Sequence, residues 1–357
     1  MIYFDNAASA IKREEIFKKI WEKKEDFDGN PDSVHGKGRV SKKILEESRG
    51  KIAKSIGANP KNIIFTSGAS EGNNTVINNF IDGEIITSAI EHDSILNAID
   101  KDKAILLNAN EDGLISIEDL KANISENTRL VAIMFVNNEI GAIEPVKEIG
   151  QYLEDKDIWF HVDGVQAYGH IDIDVEEINC DSLSLSGHKI GGLNGFGVLY
   201  LRKDISPLIK GGEQEKNRRA GTSYVAGAYS MAESFPKMLE ERKQIKELKR
   251  YFISKLSNAN IKYQINGNPD YSSDHILNLY FPDYKADFLL TYLDMNGICA
   301  SAGSACRAGS ILPSHVITNI YNEERARHSI RFSFGYQNNK KEIDKCIEVL
   351  ERLNNEG

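Results

Sequence analysis

The strongest constraint on this chain is an alternation of short, nearly continuous apolar runs with amphipathic stretches. "NIIFT" (62–66), "EIITSA" (84–89), "AILLNA" (104–109), "LVAIMFV" (130–136), "IWFHVD" (158–163), "SLSLS" (182–186) and "FGVLYLR" (196–202) read as strands. Several are apolar at successive positions, as strands covered on both faces must be. Helical patterns such as "SEGNNTVINNFI", "SIEDLKANI" and "PVKEIGQYLEDK" lie between many of them. The order predicts an α/β layer on a mostly parallel sheet. A long helical pattern runs from about Ala226 to Leu256. Beyond it the order changes to a strand (275–281), a helix (286–297), a strand (329–335) and a last helix. This predicts a smaller α+β domain hung on the long helix.

A chain of 357 residues, 41% hydrophobic and 27% charged, has ample length for a sizeable core in one large or two ordinary domains. Its net charge of −9 argues against nucleic acid as a partner. No run approaches 18 apolar residues, and the opening "MIYFDNAASAIKREE" has no apolar stretch behind a basic one. Neither a membrane span nor a signal peptide is therefore expected. Cys180, Cys299, Cys306 and Cys346 are too few and too scattered for a disulfide framework, so a reducing, cytoplasmic setting is expected.

Several polar groups fall just past the apolar runs, where open α/β sheets bind ligands. In "SLSGHKIGG", Lys189 follows a strand among small residues, a setting suited to a Schiff-base lysine or simply to a surface loop. Asp163 ends the strand of "FHVDGVQ", where a carboxylate can hold a protonated ring nitrogen, cap a helix, or join His161 as a metal ligand. "FTSGASEGNN" is a strand, a small-residue turn and a helix start, so Ala69 and Ser70 sit at a candidate anion site; the absence of GK[ST] excludes a Walker A loop. His92 in "EHDS" and Asn138 in "VNNEIG" stand at similar strand ends, and Arg331 in "SIRFSFG" lies within a strand, where it needs an anionic partner. Anion cradle, imidazole, carboxylate and lysine after strands of one sheet are what pyridoxal phosphate requires. Cys306, in "SAGSACRAGS", sits among small residues with nothing nearby to wall its thiol into a core.

The motifs "YFDNAAS", "GNPDSVHGKG", "FTSGASE", "EHDS", "VNNEIG", "HVDGVQ", "SLSGHK", "GGEQEKNRRAGT", "GSACRAGS" and "SIRFSFG" follow one another along nearly the whole chain. In them the sequence resembles the pyridoxal-phosphate enzymes of the class V aminotransferase family, and within it the cysteine desulfurases of NifS and IscS type. The resemblance implies the pyridoxal-phosphate transferase fold type I. A large domain (14–250) would carry a mostly parallel seven-stranded sheet, and a small domain (1–13 and 251–357) would carry the cysteine loop. It implies that Lys189 bonds the cofactor aldehyde, Asp163 pairs with the ring nitrogen, Gln166 bonds the ring hydroxyl, and His92 stacks on the ring and assists proton transfer. Ser70, Ser186 and His188, with Ala69 beside them, would bind the phosphate, and Thr222 would reach the phosphate of the other subunit of a homodimer. Asn138 and Arg331 would hold the carboxylate of L-cysteine. Cys306 would take the sulfur as a persulfide for an acceptor protein in iron–sulfur cluster assembly or thiolation.

The chain departs from the family pattern at Glu213, where glycine is usual, and at Arg307, where threonine or serine usually follows the nucleophile. These departures touch acceptor docking and loop shape more than catalysis. Selenocysteine lyase or another class V aminotransferase is the alternative within the fold, although an aminotransferase has no need of Cys306. A non-catalytic sulfur carrier would have no need of Lys189 and Asp163 together. A cysteine–histidine hydrolase would need a histidine fixed beside Cys306, for which a glycine-flanked loop is poor support.

Overall fold

The computed structural model describes residues 1–303 and 312–356. Its centre is a seven-stranded sheet of β1 (Ile63–Thr66), β2 (Glu84–Ser88), β3 (Ile105–Leu107), β4 (Thr128–Met134), β5 (Trp159–Asp163), β6 (Ser182–Ser186) and β7 (Gly197–Leu201), in the spatial order β1-β7-β6-β5-β4-β2-β3. β3, β2, β4, β5 and β6 pair in parallel, while β7 runs antiparallel to both β6 and β1. Two reversals restore direction, so β1 ends at the same edge of the sheet as β2, β4, β5 and β6. Apolar runs carry no direction, and the reversal at β7 was not readable from them. All but one residue of β4, and all of β6 and β7, are buried, as strands covered on both faces require.

The helices α1 (Gly36–Lys54) and α2 (Ala69–Phe80) flank this sheet, and α3 (Val225–Asn258) runs on toward a three-stranded antiparallel sheet. That sheet is ordered β10-β9-β8, with β8 (Gln264–Ile265), β9 (Ile276–Tyr280) and β10 (Ser329–Ser333). The helices α4 (Ala286–Met295) and α5 (Lys340–Glu356) follow β9 and β10 in the chain. The N-terminal segment belongs spatially here: Ile2–Tyr3 pairs in parallel with Ile298–Cys299, and Ser333 N donates to Phe4 O at 2.7 Å. Phe4 is fully buried against Phe252, Phe332 and Phe334, with ring centroids 5.7–6.2 Å away. Among the described residues no helix is long and apolar enough to cross a membrane.

One buried acid introduces a pH dependence. Glu144 accepts a hydrogen bond from Ile115 N (3.0 Å), and burial raises its pKa from 4.5 to about 8. The folded chain therefore favours the protonated acid, and the stability it contributes is complete below pH 4.5 and is lost as the pH rises toward 8. Glu144→Gln, which removes the ionisation, should stabilise the protein increasingly across that window, by about 3 kcal/mol at neutral pH. Denaturant titrations at several pH values would measure this, and a pH-independent difference would contradict it. Phe4→Ala should cost about 3–5 kcal/mol in the same assay, whereas a loss under about 1 kcal/mol would mean that the aromatic cluster tolerates its absence.

Candidate active site

The carboxyl edge shared by these strands opens on a cavity of about 290 Å³. Ala69, Ser70, His92, Asn138, Asp163, Gln166, Ser186, His188, Lys189 and Arg331 all line it, so ten of the residues singled out in the sequence meet in one place. Thr222 does not; it is exposed and lines a separate depression with Ser67, Gly195 and Arg219. Cys306 and Arg307 lie outside the described residues.

Lys189 stands in a helical turn (Gly187–Ile190) directly after β6. Its Nζ donates to Ala7 O (2.7 Å) and Ala8 O (3.0 Å), carbonyls of the N-terminal segment. Asp163, the last residue of β5, is buried and accepts from Val165 N (3.0 Å) and Asn73 Nδ2 (2.8 Å). His161, two residues before it, points its ring nitrogens at Asn73 Oδ1 (2.9 Å) and Ser182 Oγ (2.8 Å), so its place is within the sheet's hydrogen bonding. Gln166 donates to Ala7 O (2.9 Å), and its Oε1 lies 3.1 Å from His275 Nε2. His275 in turn stacks on His170 with ring centroids 3.5 Å apart.

One end of the cavity is lined by Ala69 and Ser70 of α2 and Ser186 of β6. Ala69 N donates to Ser186 Oγ (3.1 Å), and Gly68, at the start of α2, supplies no side-chain cap. The close approach depends on Gly197 at the start of β7: a Cβ there would lie 2.6 Å from Gly68 Cα. Burial, with the nearby Lys189, Lys12 and His92, pulls the pKa of His188 down to about 3, so it is neutral at neutral pH.

Arg331 enters from β10, buried, with Nη1 on Asn138 O (2.6 Å) and Nη2 on Asp5 Oδ1 (2.9 Å). The segments flanking residues 304–311 are tied to the same site. Ser301 N donates to Arg331 O (3.1 Å), the Ser314 hydroxyl donates to the Glu139 carboxylate, and His315 Nε2 lies 2.9 Å from Glu91 O. Sequence reasoning assigned no role to Asp5, Asn73 or His275. Asp5 stood inside the motif "YFDNAAS", and Asn73 lies three residues after Ser70 on a helix, a spacing that brings it to a neighbouring face.

The donor set fits pyridoxal phosphate: a lysine amine, a buried carboxylate opposite a helix start, and serine hydroxyls at that start, in one cavity.

Comparison with known proteins agrees in extent. The family model described as aminotransferase class-V matches residues 2–346. Cysteine desulfurase IscS of Dictyoglomus turgidum is 38% identical, covering 99% of this chain and 94% of that protein. The X-ray structure of a NifS-like protein from Rickettsia africae superposes with a TM-score of 0.90 at 32% identity over 99% of each chain. SspA in complex with cysteine superposes with a TM-score of 0.82 at 33% identity, over 94% of this chain and 99% of SspA. With the family model matched over all but the chain's ends, the protein belongs to the class V aminotransferase family.

Proposed function

We propose that this protein is a pyridoxal-phosphate-dependent cysteine desulfurase that converts L-cysteine to L-alanine and delivers the sulfur to an acceptor protein. The observation that carries the reading is the meeting of Lys189 Nζ, the Asp163 carboxylate, the His92 imidazole and the Arg331 guanidinium in one cavity. Cysteine desulfurases among the relatives and a cysteine-bound structural neighbour support the substrate.

The reading gives each residue a task. Lys189 holds the cofactor aldehyde, Asp163 the ring nitrogen, Gln166 the ring hydroxyl and His92 the ring face. Ser70, Ser186 and His188, beside Ala69, hold the phosphate, and Thr222 reaches the phosphate of the partner in a homodimer. When bound, pyridoxal phosphate supplies an electron sink for the electrons of the substrate's Cα–H bond. Arg331, with Asn138, orients the substrate carboxylate, and its guanidinium is held by Asn138 O and Asp5 Oδ1. The amine of Lys189 would be the base that moves the proton at Cα.

Cys306, as thiolate, attacks the substrate sulfur. An S–S bond forms, the substrate C–S bond breaks, and its electron pair stays with the carbon skeleton, which takes up protons and leaves as alanine. Cys306 then carries a persulfide for iron–sulfur cluster assembly or thiolation. Residues 1–13 and 251–357 form the unit that bears this loop, and the setting is cytoplasmic.

Purified protein supplied with pyridoxal phosphate should absorb in the visible and release equal amounts of sulfide and alanine from L-cysteine with a reductant. A protein that cannot be coloured by the cofactor would refute the reading. Lys189→Ala should abolish turnover. Cys306→Ser should still change the cofactor spectrum on adding cysteine yet form no persulfide, and normal sulfide release by this variant would remove Cys306 from its assigned place.

A further inference from the structure

Three arginines among the described residues are buried, Arg13, Arg49 and Arg331. Two of them are held fork to fork. Arg13 meets both oxygens of Glu241, with Nη1 on Oε1 at 2.7 Å and Nη2 on Oε2 at 2.8 Å. Arg49 meets both oxygens of Glu215, at 2.6 and 2.8 Å. Neither lines the cavity that holds Lys189, and a bidentate carboxylate is the pairing that best compensates a guanidinium taken out of water. Arg331 is held differently. Its Nη2 meets one oxygen of Asp5 at 2.9 Å, its Nη1 meets the neutral carbonyl of Asn138 at 2.6 Å, and its buried Nε has no partner. Among the described residues Asp5 is the only carboxylate within 4.0 Å of this guanidinium.

The partial pairing is built on fixed backbone. Arg331 pairs with Asn278 across β9 and β10, and its carbonyl accepts from Ser301 N. Asp5 is bridged to Ser333, two residues further along β10, and Asn6 Nδ2 donates to Ser333 O at 3.1 Å. From that position one aspartate oxygen reaches the guanidinium. A guanidinium compensated by one carboxylate oxygen keeps N–H groups and part of its charge for a second anion. Arg331 is also the one of the three that lines the cavity.

We propose that Asp5 is a positioning residue that acts through Arg331: it holds the guanidinium in place between ligands and, by sharing its charge, keeps the grip on an incoming carboxylate loose. Asp5 is not among the residues lining the cavity, so its effect on a ligand passes through Arg331. The proposal rests on the desulfurase reading for its consequence, because L-cysteine and L-alanine both carry an α-carboxylate. A full-strength arginine would hold product as firmly as substrate, and binding of that uniform kind does not raise kcat. The half-paired Arg331 orients the carboxylate and still lets alanine leave.

Asp5→Asn keeps the shape and an acceptor oxygen and removes the charge. In cofactor-loaded protein, L-alanine should bind the variant on the order of 10-fold more tightly than the wild type, since a negative charge beside the guanidinium is gone. Ethylamine, which lacks the carboxylate, should bind both equally. In turnover, KM for L-cysteine should fall without a rise in kcat. In cofactor-free protein labelled with 15N-arginine, propionate followed at the Arg331 guanidinium should show the same gain in affinity, and propionamide none. Asp5→Ala replaces Asp5→Asn if the latter does not fold. Unchanged affinity for L-alanine and propionate in a folded variant, or a gain shared by ethylamine and propionamide, overturns the proposal. Failure to take up pyridoxal phosphate counts against the desulfurase reading alone, and the propionate comparison then decides the place of Asp5.

Discussion

Two main-chain carbonyls, those of Ala7 and Ala8, hold the Lys189 amine, and much of the site's geometry depends on where they stand. They belong to neither sheet. The first ten residues cross from the small sheet to the large one, anchored by Phe4 in its aromatic cluster and by Ala7 N on Ser333 Oγ (2.9 Å). On the way they place Asp5 against Arg331 and Ala7 O against both Gln166 and Lys189. A single extended segment thus connects the group proposed to bind the substrate carboxylate with the groups proposed to bind the cofactor. Packing of one phenylalanine and registry of Lys189 are mechanically the same problem.

The second organising feature is that four histidines around this cavity are held neutral by burial. His161, His170 and His188 are each pulled down to about 3, and His275 lies well below the ordinary value, in every case chiefly through desolvation. A neutral imidazole is a directional object, with one donor and one acceptor, and can pass orientation along a hydrogen-bond chain. Beside the histidines, the ionisable side chains in the site are Lys189, Asp163 and the Arg331–Asp5 pair.

Much of this was legible in the sequence because the physical signals were local. The runs Leu130–Val136 and Ser182–Ser186 are apolar or small throughout since both faces are covered, and their ends differ from the observed strands by two residues at most. Lys189, Asp163 and His92 were found because strand ends in an open α/β sheet are where ligands bind. Asn73 was missed because an asparagine on a helix reads as a solvated position, and its partners Asp163 and His161 are about ninety residues away. His275 and Asp5 were missed for the same reason: each acquires its role only when β9 or the N-terminal segment packs against the large sheet. The antiparallel setting of β7 was illegible for a different one, since an apolar run has no arrow.

The central claim is that Lys189 is the residue to which the cofactor bonds, with the rest of the cavity arranged around it. Reduction of the cofactor-loaded protein with borohydride, followed by peptide mass spectrometry, tests this directly. The expected result is a single pyridoxyl adduct on Lys189. An adduct on any other lysine, or none in a protein that has taken up the cofactor, would contradict the account.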